Sequence, residues 1–242
     1  ELKYFICMGS LTDSLNKDAR FLDLPGLIAK GGDLLDAGDT SFTGAHIDRN
    51  KMSALLFTSG TTSMSKGVML SHSNLASNVS AVTATIKAGP GDVHLSLLPL
   101  HHTFENTVGL LFMVHSGVCV AYGDGIKHVV NNLKEYKVTL LIAVPAMFEV
   151  MYRRLQSGIE KSGKAKLMAV LIKVSDTLRS LGIDMRKKLF KSVFEQFGPH
   201  LRLAVSGAAA LDPEVIIGFD KIGLRLLQGY GLTETSPIVA VN

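Results

Sequence analysis

Leu55-Leu-Phe-Thr-Ser-Gly-Thr-Thr-Ser-Met-Ser-Lys-Gly-Val68 is the stretch from which the rest of the chain can be read. An apolar run stops at Thr58, and six of the next eight residues are Ser, Thr or Gly. Lys66 and Gly67 follow, and a second apolar run starts at Val68. Small hydroxyl residues let backbone N–H groups come close to an anion and add O–H donors of their own. The lysine adds a mobile point charge. The composition is that of a phosphate-binding loop. It is not a Walker A loop, in which Gly-Lys-Ser/Thr leads into a helix. Here glycine follows the lysine and strand-like residues come next, so the loop is expected to join two strands. The plainer alternative, a solvated Ser/Thr linker, sits poorly between two apolar runs.

Outward from that loop, short β-rich runs alternate with amphipathic stretches. Residues 4–8, 54–57, 68–70, 95–98, 118–121, 139–144, 201–205 and 224–227 read as strands. Residues 73–86, 107–114, 128–136, 145–155, 185–197 and 213–222 read as helices. Ser71 or Ser73 suits an N-cap, and Pro145 and Pro213 suit first-turn positions. Strand–helix alternation predicts an α/β fold, a mostly parallel sheet flanked by helices. Residues 31–50, rich in Gly and Asp, are expected to form a loop or a subdomain seam.

Composition sets the limits. Of 242 residues, 47% are apolar and 19% charged, which excludes a disordered or low-complexity chain. Cys7 and Cys119 lie far apart in apolar runs, so buried free thiols and a reducing compartment are expected. No run approaches the ~20 apolar residues of a spanning helix. The chain starts at Glu1, with no basic segment leading into an apolar one, and reads as an excerpt of something longer. Cytoplasmic placement is expected, with room for contact at a membrane periphery. Residues 151–200 carry a net charge of +7 against −3 for the remainder. No aromatic residues interleave with those cations as base stacking requires, so nucleic acid is not an expected partner. A solvated helix face accounts for the charge; an anionic membrane surface or an acidic partner remains open.

The loop resembles the signature of the adenylate-forming (AMP-binding) superfamily, with the long-chain fatty acid–CoA ligase branch as the nearest likeness. That signature runs aromatic-Thr-Ser-Gly-Ser/Thr-Thr-Gly-x-Pro-Lys-Gly. Ser63 stands where glycine is usual and Ser65 where proline is usual; both alter stiffness and neither removes a donor. Leu98-Pro-Leu-His-His-Thr-Phe-Glu105 resembles the family's Leu-Pro-x-x-His motif, with His102 at the matching histidine. Val205-Ser-Gly-Ala-Ala-Ala-Leu211 resembles the segment along the adenine, with Ala208 in place of one glycine. Gln228-Gly-Tyr-Gly-Leu-Thr-Glu234 resembles the Tyr-Gly-x-Thr-Glu motif. These four segments span about three quarters of the chain.

The resemblance implies a reaction that joins a carboxylate to the α-phosphate of ATP and then passes the acyl group to a thiol, usually that of coenzyme A. Two anions must meet, so cations and donors are needed near the phosphates, with a metal ion to offset growing charge. By resemblance Thr58, Ser59, Gly60, Thr61, Thr62 and Lys66 hold the β- and γ-phosphates. Thr233 contacts the α-phosphate, and Glu234 binds Mg²⁺. Tyr230 and Gly231 lie against the adenine, and Gly207, Ala208 and Ala209 let the backbone approach the base. His102 sits beside the carboxylate as an orienting group rather than a base. An alkyl tunnel needs apolar walls, for which Val108, Leu111, Phe112 and Val144 are candidates that serve equally well as core. The family's ribose-binding Asp motif and its small C-terminal domain are not found before Asn242. The chain is therefore expected to be the central part of the large N-terminal domain, with little activity alone. The alternatives are a non-catalytic module of the same fold that binds nucleotide or acyl chain, or an adenylate-forming enzyme with another acceptor.

Overall fold

A computed structural model describes residues 2–58 and 65–242. The chain divides into two compact units, Glu1–Asp48 and Arg49–Asn242, with the boundary inside the Gly/Asp-rich segment 31–50. The start of that segment is not loop, however: Gly31 to Asp36 close a helix.

In the first unit β1 (Phe5–Cys7) runs parallel to β2 (Phe21–Asp23), and the rings of Phe5 and Phe21 stack at 4.9 Å. Helix α1 (Leu24–Asp36) follows directly. Asp23 caps it, its carboxylate accepting the Gly26 N–H at 2.7 Å, and Pro25 occupies the first turn.

The second unit opens with the antiparallel hairpin β3 (Met52–Thr58) and β4 (Lys66–Ser71), in which Thr58 faces Lys66. The hydroxyl-rich loop does join two strands. Helix α2 (His72–Thr85) leaves β4 through a capping box. Ser71 Oγ accepts the Asn74 N–H at 3.2 Å, and the Asn74 side chain accepts the Ser71 N–H at 2.9 Å. Then come β5 (Val93–Ser96), a π-helical segment Glu105–Leu111 continuing into α3 (Phe112–His115), β6 (Cys119–Tyr122), α4 (Val129–Glu135) and β7 (Leu140–Ala143). Helices α5 (Pro145–Lys161), α6 (Ala165–Ser180), α7 (Arg186–Leu189) and α8 (Lys191–Phe197) lead to β8 (Leu203–Ser206). Helix α9 (Pro213–Ile222), β9 (Arg225–Gly231), a 3₁₀ turn Thr233–Thr235 and β10 (Ile238–Val241) complete the unit.

The sheet order is β10-β9-β8-β7-β5-β6, parallel throughout except for the antiparallel edge strand β10. Strands β7 and β8 are buried along their whole length because both faces are covered. Alternation along β7 sends Leu141 and Ala143 into a core with α4, α5, α8 and α9. Leu140 and Ile142 enter a second core with α2 and α3.

Several expectations change. The helix expected at 185–197 is two helices that break at Phe190, and α5 extends six residues beyond its expected end at 155. Cys119 is exposed and Cys7 half-buried, and both are free. Val108 and Phe112 are fully buried members of the second core rather than tunnel wall. Among the described residues, no helix is long and apolar enough to cross a membrane.

Candidate functional site

Strands β5, β7, β8 and β9 are parallel, so their carboxyl ends share one side of the sheet. The connection from β5 runs outward to β6, whereas those from β7 and β8 run the other way. Loops leaving adjacent strands in opposite directions open a crevice at that switch point. A cleft of about 700 Å³ lies there. Leu98 to Phe104 enter it after β5, Val144 after β7, and Gly207 and Ala208 after β8. Gly229 to Glu234 line it from the end of β9, and Thr58 and Lys66 from the hairpin.

The sequence-predicted residues thus largely converge. Lys66, His102, Thr233 and Glu234 line one cleft, as do Thr58, Gly207, Ala208, Tyr230 and Gly231. Ala209 is not among its lining residues. Ser59, Gly60, Thr61 and Thr62 lie outside the described residues. Of the expected tunnel residues only Val144 lines the cleft.

Local packing explains the glycines. A Cβ on Gly207 would lie 2.6 Å from the ring of Phe104, so the aromatic packs on bare backbone. A Cβ on Gly231 would collide with the Pro237 carbonyl where β9 passes β10. Ala208 has φ +72°, in the left-handed region where glycine is favoured. This is the position at which the resemblance expects glycine, and it is exposed.

The turn bearing Glu234 is fixed by groups outside the quoted motifs. Thr235 Oγ1 accepts the Leu232 N–H at 3.0 Å and donates to the Leu232 carbonyl at 2.9 Å. Asn78, buried on α2, clamps the far side: its amide donates to Thr235 O at 3.2 Å and Ile238 O at 2.8 Å, and its carbonyl accepts the Ile238 N–H at 3.2 Å. The signal was present, since Asn78 falls in the same helical stripe as the apolar residues Val79, Val82 and Ile86. A lone polar residue in a buried stripe needs partners.

Among the described residues, Glu234 is the only carboxylate lining the cleft, and Lys66 its only ammonium group. Among the described residues no group of three or more His, Cys, Asp or Glu could hold a metal ion. A single exposed carboxylate still suits Mg²⁺, which commonly takes one or two protein oxygens and completes its shell from water and phosphate.

The amino end of the sheet carries a different constellation. Asp92, just before β5, accepts Arg202 Nε at 2.8 Å and Arg202 Nη2 at 2.6 Å, and the Thr139 hydroxyl at 2.8 Å. The Arg202 hydrogen bonds, with help from Thr139 and the Gly89 N–H, hold its carboxyl below the ordinary range despite burial. On the basic helices, Arg186 bonds Asp184 and Asp220, each at 2.7 Å. Among the described residues, Lys161, Lys164, Lys166, Lys173, Lys187 and Lys188 form no ion pair.

The sheet is doubly wound, and a lysine from the hairpin and a Thr-Glu turn after β9 meet in the crevice at its strand ends. The AMP-binding enzyme family matches residues 13–242, and the chain belongs to that family. It is 30% identical over 242 aligned residues to a chloroplastic long-chain-fatty-acid–[acyl-carrier-protein] ligase, AEE15, of Arabidopsis thaliana, an alignment covering 84% of this chain and 33% of that protein. It is 34% identical over 199 aligned residues to fatty acyl-CoA synthetase B of Dictyostelium discoideum, covering 76% of this chain and 29% of that protein. The crystal structure of a long-chain-fatty-acid-CoA ligase (FadD1) from Archaeoglobus fulgidus superimposes with a TM-score of 0.61 at 23% identity, over 92% of this chain and 40% of that one. The chain spans about a third of the length of the curated relatives it matches.

Proposed function

We propose that the cleft binds ATP and a carboxylic acid, joins them as an acyl-adenylate, and serves an enzyme that transfers the acyl group to coenzyme A. What supports this reading is the convergence of Lys66 with Thr233 and Glu234, far apart in sequence, on one crevice at the strand ends. The Lys66 ammonium offers charge to the outer phosphates, together with the loop it closes. Thr233 offers a hydroxyl toward the α-phosphate. The Glu234 carboxylate would hold Mg²⁺, which when bound offsets negative charge growing on the phosphate oxygens. Tyr230 presents a ring at the exposed rim for the adenine, beside the bare backbone of Gly207, Ala208 and Gly231. His102 orients the acid; a carboxylate nucleophile has no proton to give up, so no general base is required.

The acid is a long-chain fatty acid in this reading. The relatives of Arabidopsis and Dictyostelium are named for fatty acyl substrates, and the cleft carries apolar residues Leu98, Phe104, Val144 and Ile238. Each buried CH₂ contributes roughly 0.8 kcal/mol, so affinity should climb with chain length. The test is carboxylate-dependent ATP–pyrophosphate exchange in the protein carrying this chain, with acids from acetate to stearate. Exchange rising toward the long acids is expected; no exchange with any acid would sink the proposal and favour a pure binding module. The 242 residues alone are expected to exchange far more slowly than that protein.

The same proposal gives α6 a role. Leu167, Val170, Val174 and the adjoining Leu181 form an exposed apolar stripe at helical spacing, beside the unpaired Lys166 and Lys173. Apolar residues flanked by lysines fit an anionic bilayer, the source of an alkyl substrate. Co-sedimentation with phosphatidylserine vesicles that weakens in high salt is expected; salt-independent or absent binding would reject this role.

A further inference from the structure

Glu105 is fully buried and takes no part in the chemistry above. Its Oε1 meets polar neighbours, while its Oε2 is buried with no hydrogen-bond partner among the described residues. Ser96, the last residue of β5, donates its hydroxyl to Glu105 Oε1 at 2.6 Å. His94 Nε2 stands 3.5 Å from the same oxygen, and His94 Nδ1 lies 3.4 Å from the Leu140 carbonyl oxygen of β7. A carbonyl only accepts, so this geometry assigns a proton to Nδ1, and Nε2 and Oε1 then attract only with a second proton between them. Gly109 makes the room, since a Cβ there would lie 2.6 Å from the Glu105 carboxyl. The helix starting at Glu105 takes the wide π form, which is frequent at functional sites.

Ser96 and Glu105 are the residues immediately before and after loop 97–104. One hydrogen bond between their side chains therefore joins both ends of the segment that brings Leu98, Pro99, His102, Thr103 and Phe104 to the cleft. The loop's backbone bonds, His102 N–H to Pro99 and Asn106 N–H to His102, are local and do not tie it to the sheet. We propose that Glu105 is a positioning residue: its carboxyl, held by Ser96 and His94, closes this loop at its base and sets His102 and Phe104 against the cleft. The consequence for turnover rests on the reading of the cleft as an adenylate-forming site; the consequence for the loop does not.

The experiment compares Glu105→Ala, Glu105→Gln and Ser96→Ala with Val193→Ala, a truncation in the other core that controls for lost stability. Amide hydrogen exchange over residues 97–104 and the kinetics of ATP–pyrophosphate exchange are read in the protein carrying this chain. Glu105→Ala is expected to speed loop exchange about tenfold or more and to lower kcat by about ten- to a hundredfold, with KM for ATP little changed, since small misplacements cost this much. Glu105→Gln should restore most of both, because its amide oxygen still accepts from Ser96. Val193→Ala should lower the melting point without touching the loop. If Glu105→Ala does not fold, Ser96→Ala carries the same expectations. Loop protection equal to wild type in Glu105→Ala and Ser96→Ala would overturn the proposal, as would activity losses in Glu105→Ala and Val193→Ala that simply track their melting points. A wild-type protein without exchange activity would instead indict the reading of the cleft, and loop protection would still decide the role of Glu105.

Discussion

Replacing Ala208 with glycine should make the protein more stable, against the usual rule. In the left-handed region an L-residue with a Cβ costs roughly 1–2 kcal/mol, and Ala208 sits there with φ +72°. Glycine adopts that conformation freely but widens the unfolded ensemble, a loss of about 0.4–1 kcal/mol. Ala208 is exposed, so its methyl group contributes little packing that would be lost. The balance is a gain of about 0.5–1 kcal/mol. For a chain of this size that is about 1–4 °C in Tm. Urea unfolding of wild type and Ala208→Gly, followed by circular dichroism with m held in common, measures it. A loss of about 0.5 kcal/mol or more in Ala208→Gly would show that the backbone at 208 is unstrained and that the reasoning fails. Because Ala208 also lines the cleft, nucleotide affinity in the glycine variant should stay equal or improve.

Three further outcomes are expected. Lys66→Ala should weaken ATP binding by about tenfold or more, read by calorimetry, because a charge-assisted contact of about 1.5–3 kcal/mol is removed; unchanged affinity would separate the lysine from the phosphates. Asn78→Ala should cost about 1–3 kcal/mol by stranding the Thr235 and Ile238 backbone groups, and should loosen amide exchange around Glu234; a loss of stability with Glu234's neighbourhood still protected would confine Asn78 to packing. Asp92→Asn bears on pH. The folded pKa of Asp92 lies below its unfolded value of about 3.9, so its stabilisation is complete above that value and disappears as pH falls through the folded one. The Asn variant should therefore be less stable at neutral pH and less sensitive to acid below about pH 4. Equal acid sensitivity in the two proteins would contradict this.

Much of the architecture was legible because period and punctuation agreed. Residues 213–222 carried a first-turn proline after an aspartate, and α9 occupies that span. Strands β7 and β8 stood out as short aliphatic runs. Helix α1 was missed because glycines at 26, 31 and 32 imitate a loop, while its Asp23 cap and Pro25 override them. Strand β10 was missed because only its pairing with β9 gives four residues an identity. In the site, the motif residues were readable by their types, and Asn78 only as a lone polar residue in an apolar helical stripe, while Glu105 was not. The partners themselves, distant in sequence for Asn78 and on the far side of a loop for Glu105, are encoded in no local pattern.

The two ends of the parallel sheet carry separate duties. Asp92, Thr139 and Arg202 knot the amino ends of three strands, while the cleft is lined mostly from the carboxyl ends, with Thr58 and Lys66 added by the hairpin. Substitutions below and above the strands should then drift almost independently, so a lineage could harden its foundation against heat or acid while retuning what enters at the top.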